Sequence, residues 1–406
     1  MTLNRRSLIA AAGALAVPLR VRAQPAAPIR IGVLTDLSGQ YRDNSGPTSV
    51  LAARQAVEDF QPERHGFTVE ILAADHQQKP DVGAGIARQW FDRDGVTAIA
   101  DVNNTAIALA VRTQAIEKDR ALLVSGAASA DLTGQYCSPN MVHWAPDTWG
   151  DAHSTGEALL RAGRKTFFLV VADYIFGQTL EREVAALVQA GGGTVLGTVR
   201  YPFPGTTDFS AYLVQAQLSG ADVIAFCNTG GDMENAVKQA REFGLARGGR
   251  AVAPMFGFMT EMKAVGLDTG QGLFMTETFY WDLNDRTRAF TRRFLPKSPG
   301  NYPCSLHASC YSTVLHYLKA VAPGGAPRTS GRAVIAAMKA MPTDDDCFGA
   351  ASVRANGRFL CDTHLFQVKS PAESTGPWDI YRLVSSTPGV RAFRPLADGG
   401  CTMAPA

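Results

Sequence analysis

The sequence changes period again and again. Short apolar runs of strand length alternate with longer stretches whose apolar residues recur every three or four positions. The runs are IRIGVL from Ile29, TVEILAA from Thr68, VTAIAD from Val96 and ALLVSG from Ala121. Between them, Val50, Ala53, Val57 and Phe60 share one helical face, and DVGAGIARQWFDRDG from Asp81 and TAIALAVRTQAIEKD from Thr105 supply the next helices. Strand, helix and strand in this order return the chain in parallel, so the alternation predicts an α/β fold, parallel sheets flanked by helices. After WAPDTWGDAH, at 144–153, the pattern starts afresh. KTFFLVVADYIFGQTLEREVAALVQAGG reads as strand, loop and helix, with Leu180, Val184, Leu187 and Val188 as its buried stripe. TVLGTVRYP, DFSAYLVQAQLSG, ADVIAFCNTGGDMENAVKQAREFG, AVAPMFGF and GLFMTETF continue it. A second α/β lobe therefore begins near 146–150.

At 406 residues the chain exceeds what one core usually organises, in keeping with two lobes. Its last third differs. A helix is expected around 284–295, and a long one follows with Leu306, Cys310, Val314, Tyr317, Leu318 and Val321 on one side. SGRAVIAAMKAM adds another helix, and SVRANGRFLCDTHLFQVK reads as a hairpin turning at Asn356-Gly357. These look like additions to the two lobes.

The first residues are of another kind. Arg5 and Arg6 precede a short apolar run from Leu8 to Val17, and Val21-Arg22-Ala23 ends in a small residue. This is the layout of an export signal over 1–23, cleaved after about Ala23, and the apolar run is too short for a spanning helix. The arginine pair resembles the twin-arginine type. The signal holds four arginines and no acid, so the formal charge of +2 turns slightly negative once it is removed. No basic stripe remains, and nucleic acid is not an expected partner.

Several chemistries find no support. Gly32, Gly39 and Gly46 lie too far apart for a dinucleotide turn, and no phosphate-binding G-x-x-x-x-G-K-[ST] run occurs. The seven cysteines include no C-x-x-C, and the seven histidines no H-x-x-x-H, so neither a metal nor another cofactor is expected. G-x-S-x-G is absent. His143, in an apolar run, reads as a core histidine, and Asp344-Asp345-Asp346 as a solvated loop. Asp36 ends the first strand and could cap a helix or line a cleft. Cys347 and Cys361 flank the hairpin arms and are expected to pair across a bulge. Cys227 ends an apolar strand and reads as a buried thiol. Cys304 and Cys310 would point apart on a helix.

The strand ends carry small polar and aromatic residues instead of acids and bases. They are SGQY ending at Tyr41, NNTA from Asn103, SGAAS from Ser125, ADYIFG from Ala172, NTGG from Asn228 and MFGF from Met255. In open α/β sheets ligands sit beyond these ends. Backbone amides and hydroxyls at helix starts suit a carboxylate, and aromatic side chains suit an apolar body.

From Ile29 to the C-terminus the order of segments resembles the periplasmic solute-binding proteins of ABC transporters, in the branched-chain amino acid (Leu/Ile/Val-binding) family. IGVLTDLSG, GVTAIADVNNTAIALA, VSGAASADLTG, VVADYIFGQTLE, DFSAYLVQAQLSGADVIAF, TETFYWDLND and CYSTVLHYLKAV carry the likeness. The resemblance implies a type I periplasmic binding fold: two Rossmann-like lobes, 28–145 plus 279–343 and 146–278 plus 344–406, joined by a three-segment hinge. It implies a periplasmic, monomeric receptor, not an enzyme, that delivers a small molecule to an ABC permease of the inner membrane. Asn103, Asn104 and Thr105 with Ser125, Gly126, Ala127 and Ala128 would hold a carboxylate, and Tyr41 would flank the cleft. Tyr174 and Phe176 would close from the second lobe, and Asn228, Thr229 and Gly230 would complete that wall. Amino acid binders place an acid in the second lobe for the ammonium. Here the matching stretch has Met255 and Phe256, which favours an organic or aromatic acid, or an amide. With the tail placed by the resemblance near the start of the second lobe, Cys137 is expected to pair with Cys401. An exported enzyme and a soluble ligand sensor on the same fold are the alternatives.

If the arginine pair is read as such, the double variant Arg5→Lys, Arg6→Lys leaves unprocessed precursor in the cytoplasm. Normal processing in a fractionation experiment would point to the general secretory route instead.

Overall fold

Two parallel sheets carry the molecule, and both have the same strand order. The structure, a computed structural model, describes residues 28–322 and 325–403. The expected export signal lies outside the described residues. The first sheet contains β1 (Ile29–Thr35), β2 (Val69–Asp75), β3 (Val96–Asp101), β4 (Ala121–Val124) and β5 (Met141–His143) in the order β2-β1-β3-β4-β5. The second contains β6 (Thr166–Ala172), β7 (Thr194–Tyr201), β8 (Val223–Cys227) and β9 (Ala251–Pro254) in the order β7-β6-β8-β9. All neighbours within each are parallel. Helices cover both faces, so the central strands are apolar on both sides. Ile31 and Val33 of β1 enter one core with Val50 and Ala53, while Leu34 enters the opposite one with Trp90 and Ile107.

The remaining strands are antiparallel. β10 (Phe274–Glu277), β14 (Thr363–Val368) and β15 (Tyr381–Thr387) form one sheet in the order β10-β14-β15. The other joins β11 (Thr343–Asp345), β12 (Gly349–Val353) and β13 (Phe359–Leu360) in sequence order. Trp144 is in the first lobe's core, Phe167 to Met275 are in the cores of the second, and Phe290 to Cys361 are largely back in the first. Two expectations change here. First, the resemblance puts 344–361 in the second lobe, but Cys347, Val353, Phe359 and Cys361 pack in the first lobe's core, where Phe359 stacks on Trp144 at 4.1 Å. Only from β14 onward, with Phe366, Val368 and Tyr381, does the chain enter the second lobe's core. Ala392 and Phe393 then return to the first. Second, the hairpin does not turn on two residues. Arg354 N–H donates to Arg358 O at 2.8 Å and Gly357 N–H to Arg354 O at 2.8 Å, with Gly357 at φ 90°. That is a three-residue loop with glycine in the left-handed position.

The loop delivers Arg358 into the hinge, 1% exposed. Its guanidinium donates to Phe359 O (2.8 Å), His143 Nδ1 (3.1 Å) and Ala145 O, and lies 3.4 Å from the Asp147 carboxylate. The Phe393 ring lies 4.2 Å beneath it. His143 is thus a satisfied core histidine, its other nitrogen bonded to Ala127 O at 2.7 Å. Burial, then the charge of Arg358, pushes its pKa well down, so it is neutral.

The long helix Ser305–Ala320 is more buried than its apolar stripe predicts. Only Lys319 is exposed. Its polar side chains serve as ties: Ser305 to Glu277 (2.8 Å), His307 to Ser45 O (3.1 Å), Ser312 to Asp345 (2.5 Å) and His316 to Met338 O (2.8 Å). Asp345 is therefore buried, contrary to its reading as part of a solvated loop, while Asp344 and Asp346 pair with Arg286. No helix of the described residues is long and apolar enough to cross a membrane.

Cys137 and Cys401 are bonded, with Cα atoms 5.7 Å apart. The second expected bridge is absent: Cys347 and Cys361 are free and buried. The register explains this. Ser352 faces Leu360 across the hairpin, so Cys361 falls opposite Ala351 and Cys347 lies four residues farther along. Cys227, Cys304 and Cys310 are also free and buried. Thiol titration of denatured, unreduced protein should count five thiols; three would restore the second bridge, and seven would remove both.

Candidate functional site

Each parallel sheet reverses strand order once, between β1 and β3 and between β6 and β8. Crevices open beyond the carboxyl ends of strands at such points. Here the two crevices face each other across the hinge.

After β1, Asp36 organises the chain. Buried, it accepts the N–H groups of Gly39 (2.6 Å) and Tyr41 (3.0 Å) and the Gln78 amide (2.6 Å). These bonds hold the SGQY loop against the sheet and set Tyr41 at the cleft. After β3, Asp101 and Val102 both adopt positive φ, 74° and 54°. Two consecutive non-glycine residues in the left-handed region cost on the order of 1–3 kcal/mol each, and such strain clusters at functional clamps. Val102 N–H to Leu34 O (2.8 Å) and Ser45 Oγ to Asp101 (2.5 Å) maintain it. The bend turns Asn103 inward, donating to Tyr41 O at 3.2 Å and accepting from Asp36 N–H at 3.1 Å. Asn104 caps the helix Thr105–Glu117, accepting from Ala106 N–H (2.9 Å) and Ile107 N–H (3.2 Å). Thr105 Oγ1 is buried without a partner among the described residues.

After β4, Ser125 and Gly126 donate their N–H groups to Asp101 O. A side chain at Gly126 would sit 2.7 Å from the Asn103 Cα, so only glycine lets the two loops touch. The N–H groups of Ala127 and Ala128 make no bond to another described backbone group.

The second lobe faces this polar corner with rings. Tyr174 precedes the helix Ile175–Ala190 and brings its hydroxyl 2.7 Å from that of Tyr41. Phe203 stacks on Tyr174 at 4.1 Å, Phe176 meets Phe256 edge-on at 5.1 Å, and Phe256 meets Phe258 at 5.3 Å. An acid is present after all, five residues past Phe256. Glu261 is buried at the start of the helix Met259–Val265. Its Oε1 accepts from Asn44 Nδ2 (2.9 Å), Thr229 Oγ1 (2.8 Å) and Gly230 N–H (2.5 Å), and its Oε2 from Phe258 N–H (3.1 Å). Burial raises its pKa, and those four bonds oppose the rise.

One cavity gathers most of these groups. Tyr41, Asn103, Thr105, Gly126, Ala127 and Ala128 line it from the first lobe, and Tyr174, Phe176, Thr229 and Phe256 from the second. Of the residues expected there, Asn104, Ser125, Asn228 and Gly230 lie behind the lining. Asn104 is used as a cap, Ser125 is folded under Gly126, and Gly230 is held by Glu261. Sequence reasoning missed Asn44, Phe258 and Leu306, which complete the wall. Neither arginine nor lysine lines it. The centre of a water-sized sphere can occupy about 20 Å³ of it, room for one or two waters. The lobes are closed on each other, joined across the cleft by Tyr41–Tyr174, Asn44–Glu261 and Gly231 N–H to Gln40 O at 3.1 Å.

A family model described as periplasmic binding protein matches residues 28–376. The chain belongs to that family. It is similar to the solved structure of a periplasmic binding protein from Burkholderia mallei, at 39% identity and a TM-score of 0.89 over 93% of this chain and 99% of that one. A branched-chain amino acid ABC transporter periplasmic ligand-binding protein from Burkholderia xenovorans LB400 is 38% identical, with a TM-score of 0.81 over 92% and 99%. An R. palustris ABC transporter solute-binding protein, solved with benzoate, shares the fold at 18% identity and a TM-score of 0.80 over 93% and 100%. No curated protein matches. This family member is thus a periplasmic binding protein of the ABC transporter type.

Replacing Asp36 by Ala removes the acceptor of several buried donors under Tyr41. Urea unfolding should show a loss of about 2–3 kcal/mol; an unchanged midpoint and slope would show that the loop does not depend on Asp36.

Proposed function

We propose that this binding protein captures a small carboxylate with an apolar body, for which the closed lobes have to part wider than they stand here, and presents it to an ABC permease in the inner membrane. One observation carries the reading: the cavity pairs a polar corner without cations, at the start of the helix Thr105–Glu117, with a wall of Phe176, Phe256 and Phe258. The corner offers hydrogen-bond donors to an anion, namely Thr105 Oγ1 and the N–H groups of Thr105, Ala127 and Ala128. A helix N-terminus adds a favourable partial charge. Tyr41 and Tyr174 close the rim. No carboxylate lines the cavity to meet an ammonium group, and four protein donors hold Glu261 behind the wall. Structures sharing this fold with benzoate or 4-hydroxybenzoate bound accord with such a cargo.

In this mechanism the cargo bridges two lobes that open about the hinge, and its contacts to both favour closure. The family's location and the export-type N-terminus support a periplasmic site of action. A second reading, a branched-chain amino acid cargo, has in its favour the name of the relative from Burkholderia xenovorans.

Calorimetry with aromatic acids, aliphatic acids, amides and leucine separates the two. An acid should bind, and Thr105→Val should weaken it about ten- to hundredfold, the worth of one charge-assisted hydrogen bond. Phe176→Ala should weaken it comparably through lost burial. Tight binding of zwitterionic leucine, with no acid bound, would overturn the assignment.

A further inference from the structure

We propose that Asn44 reads a neutral hydrogen-bond donor on the cargo, so that the preferred ligands are hydroxyl-bearing carboxylates and not their unsubstituted counterparts. The inference rests on the carboxylate reading above and specifies the other end of the same ligand.

Asn44 sits in the loop between β1 and the helix Gly46–Phe60, 3% exposed, and lines the cavity. Its backbone is pinned. Its carbonyl accepts from Cys304 Sγ at 3.3 Å, and the adjoining Ser45 is bonded to Asp101. The side chain is pinned too, through Nδ2 to Glu261 Oε1 at 2.9 Å. That contact fixes which way the amide points. Four donors converge on the Glu261 carboxylate, the pattern of an ionised acceptor, so the Asn44 group facing it has to be the NH₂. The amide oxygen then faces away from Glu261. It is buried and has no partner among the described residues.

An amide oxygen only accepts. A ligand carboxylate placed against it would meet a second acceptor, so the anion belongs at Thr105, whose hydroxyl is likewise unpartnered. The group near Asn44 must bring a hydrogen. An ammonium would bring one with a charge, and Glu261, the carboxylate beside Asn44, does not line the cavity and already accepts from four protein donors. A hydroxyl brings one without charge. Sites built to bond a substrate hydroxyl discriminate strongly against the analogue lacking it, because their own polar group is then left unpaired.

The test uses matched ligands that differ by one hydroxyl. Benzoate, 3-hydroxybenzoate and 4-hydroxybenzoate are titrated by calorimetry, alongside a linear aliphatic acid and its terminal hydroxy derivative. For the wild type, at least one hydroxylated member should bind about tenfold or more tightly than its parent. In Asn44→Leu, which keeps the branching and removes the acceptor, the ratio of hydroxylated to parent affinity should fall to about one, whatever the change in absolute affinity. The wild-type preference is read without any variant, so misfolding of Asn44→Leu leaves the test standing. Equal binding of parent and hydroxylated acids by the wild type overturns the role of Asn44 and leaves the carboxylate receptor intact; it would mean that only water meets the amide oxygen. Failure of every acid to bind overturns both.

Discussion

A single buried guanidinium holds the hinge together. Arg358 reaches out of the hairpin loop and binds the first crossing at Ala145 and Asp147. It also bonds His143 at the end of β5 and rests on Phe393 of the returning tail. Through His143 its influence extends to the Ala127 carbonyl, and so to the wall of the cavity. Asp147 in turn caps the helix Thr148–Arg161, accepting from Gly150 N–H at 2.9 Å. A buried ion pair is a poor source of net stability, since desolvation offsets the attraction. Its value here is geometric: three segments distant in sequence, 143–147, the hairpin loop and the tail at Phe393, meet on one side chain, and the two lobes inherit a common reference point.

The hinge is otherwise rich in acid. Asp151 is 1% exposed, and neither of its oxygens has a partner among the described residues. Burial first, then the neighbouring charges of Asp147 and Glu277, push its pKa well up. Burial likewise pushes Glu277 up to about 8, against the bonds it accepts from Ser305 and Met259. With one arginine among these acids, the folded hinge holds protons that the unfolded chain would release at neutral pH. That contribution to stability is complete only below the ordinary carboxylate range, about pH 4, and is lost progressively as pH rises from there through the folded-state values.

Much of this was legible in the sequence, and the failures share a cause. The α/β alternation could be read because β-branched runs and helical stripes differ in period. The cleft loops could be read because ligands gather at strand ends in such sheets. What escaped depends on contacts between segments far apart in sequence. Asn44 lies in a stretch that looks like ordinary turn chemistry, and only Glu261, more than two hundred residues away, gives its amide a direction. The polar side of Ser305–Ala320 looks solvent-facing until the loops it ties are present. The hairpin's allegiance to the first lobe depends on Phe359 finding Trp144. The pairing of Cys347 with Cys361 fails on a register that no local pattern displays.

The bond between Cys137 and Cys401 joins residues 264 positions apart. Cys401 leaves the ribosome after the six other cysteines of the sequence, so Cys137 meets five possible partners before its correct one. Which sulfurs remain reachable when the tail arrives then decides the outcome. Cys227, Cys304, Cys310, Cys347 and Cys361 all lie inside the folded lobes, and burial pushes every one of these thiols up in pKa, Cys361 to about 12. Thiol exchange runs through the thiolate. Folding before oxidation therefore acts as its own proofreading: the cores withdraw five competitors before the tail docks and brings Cys401 to Cys137.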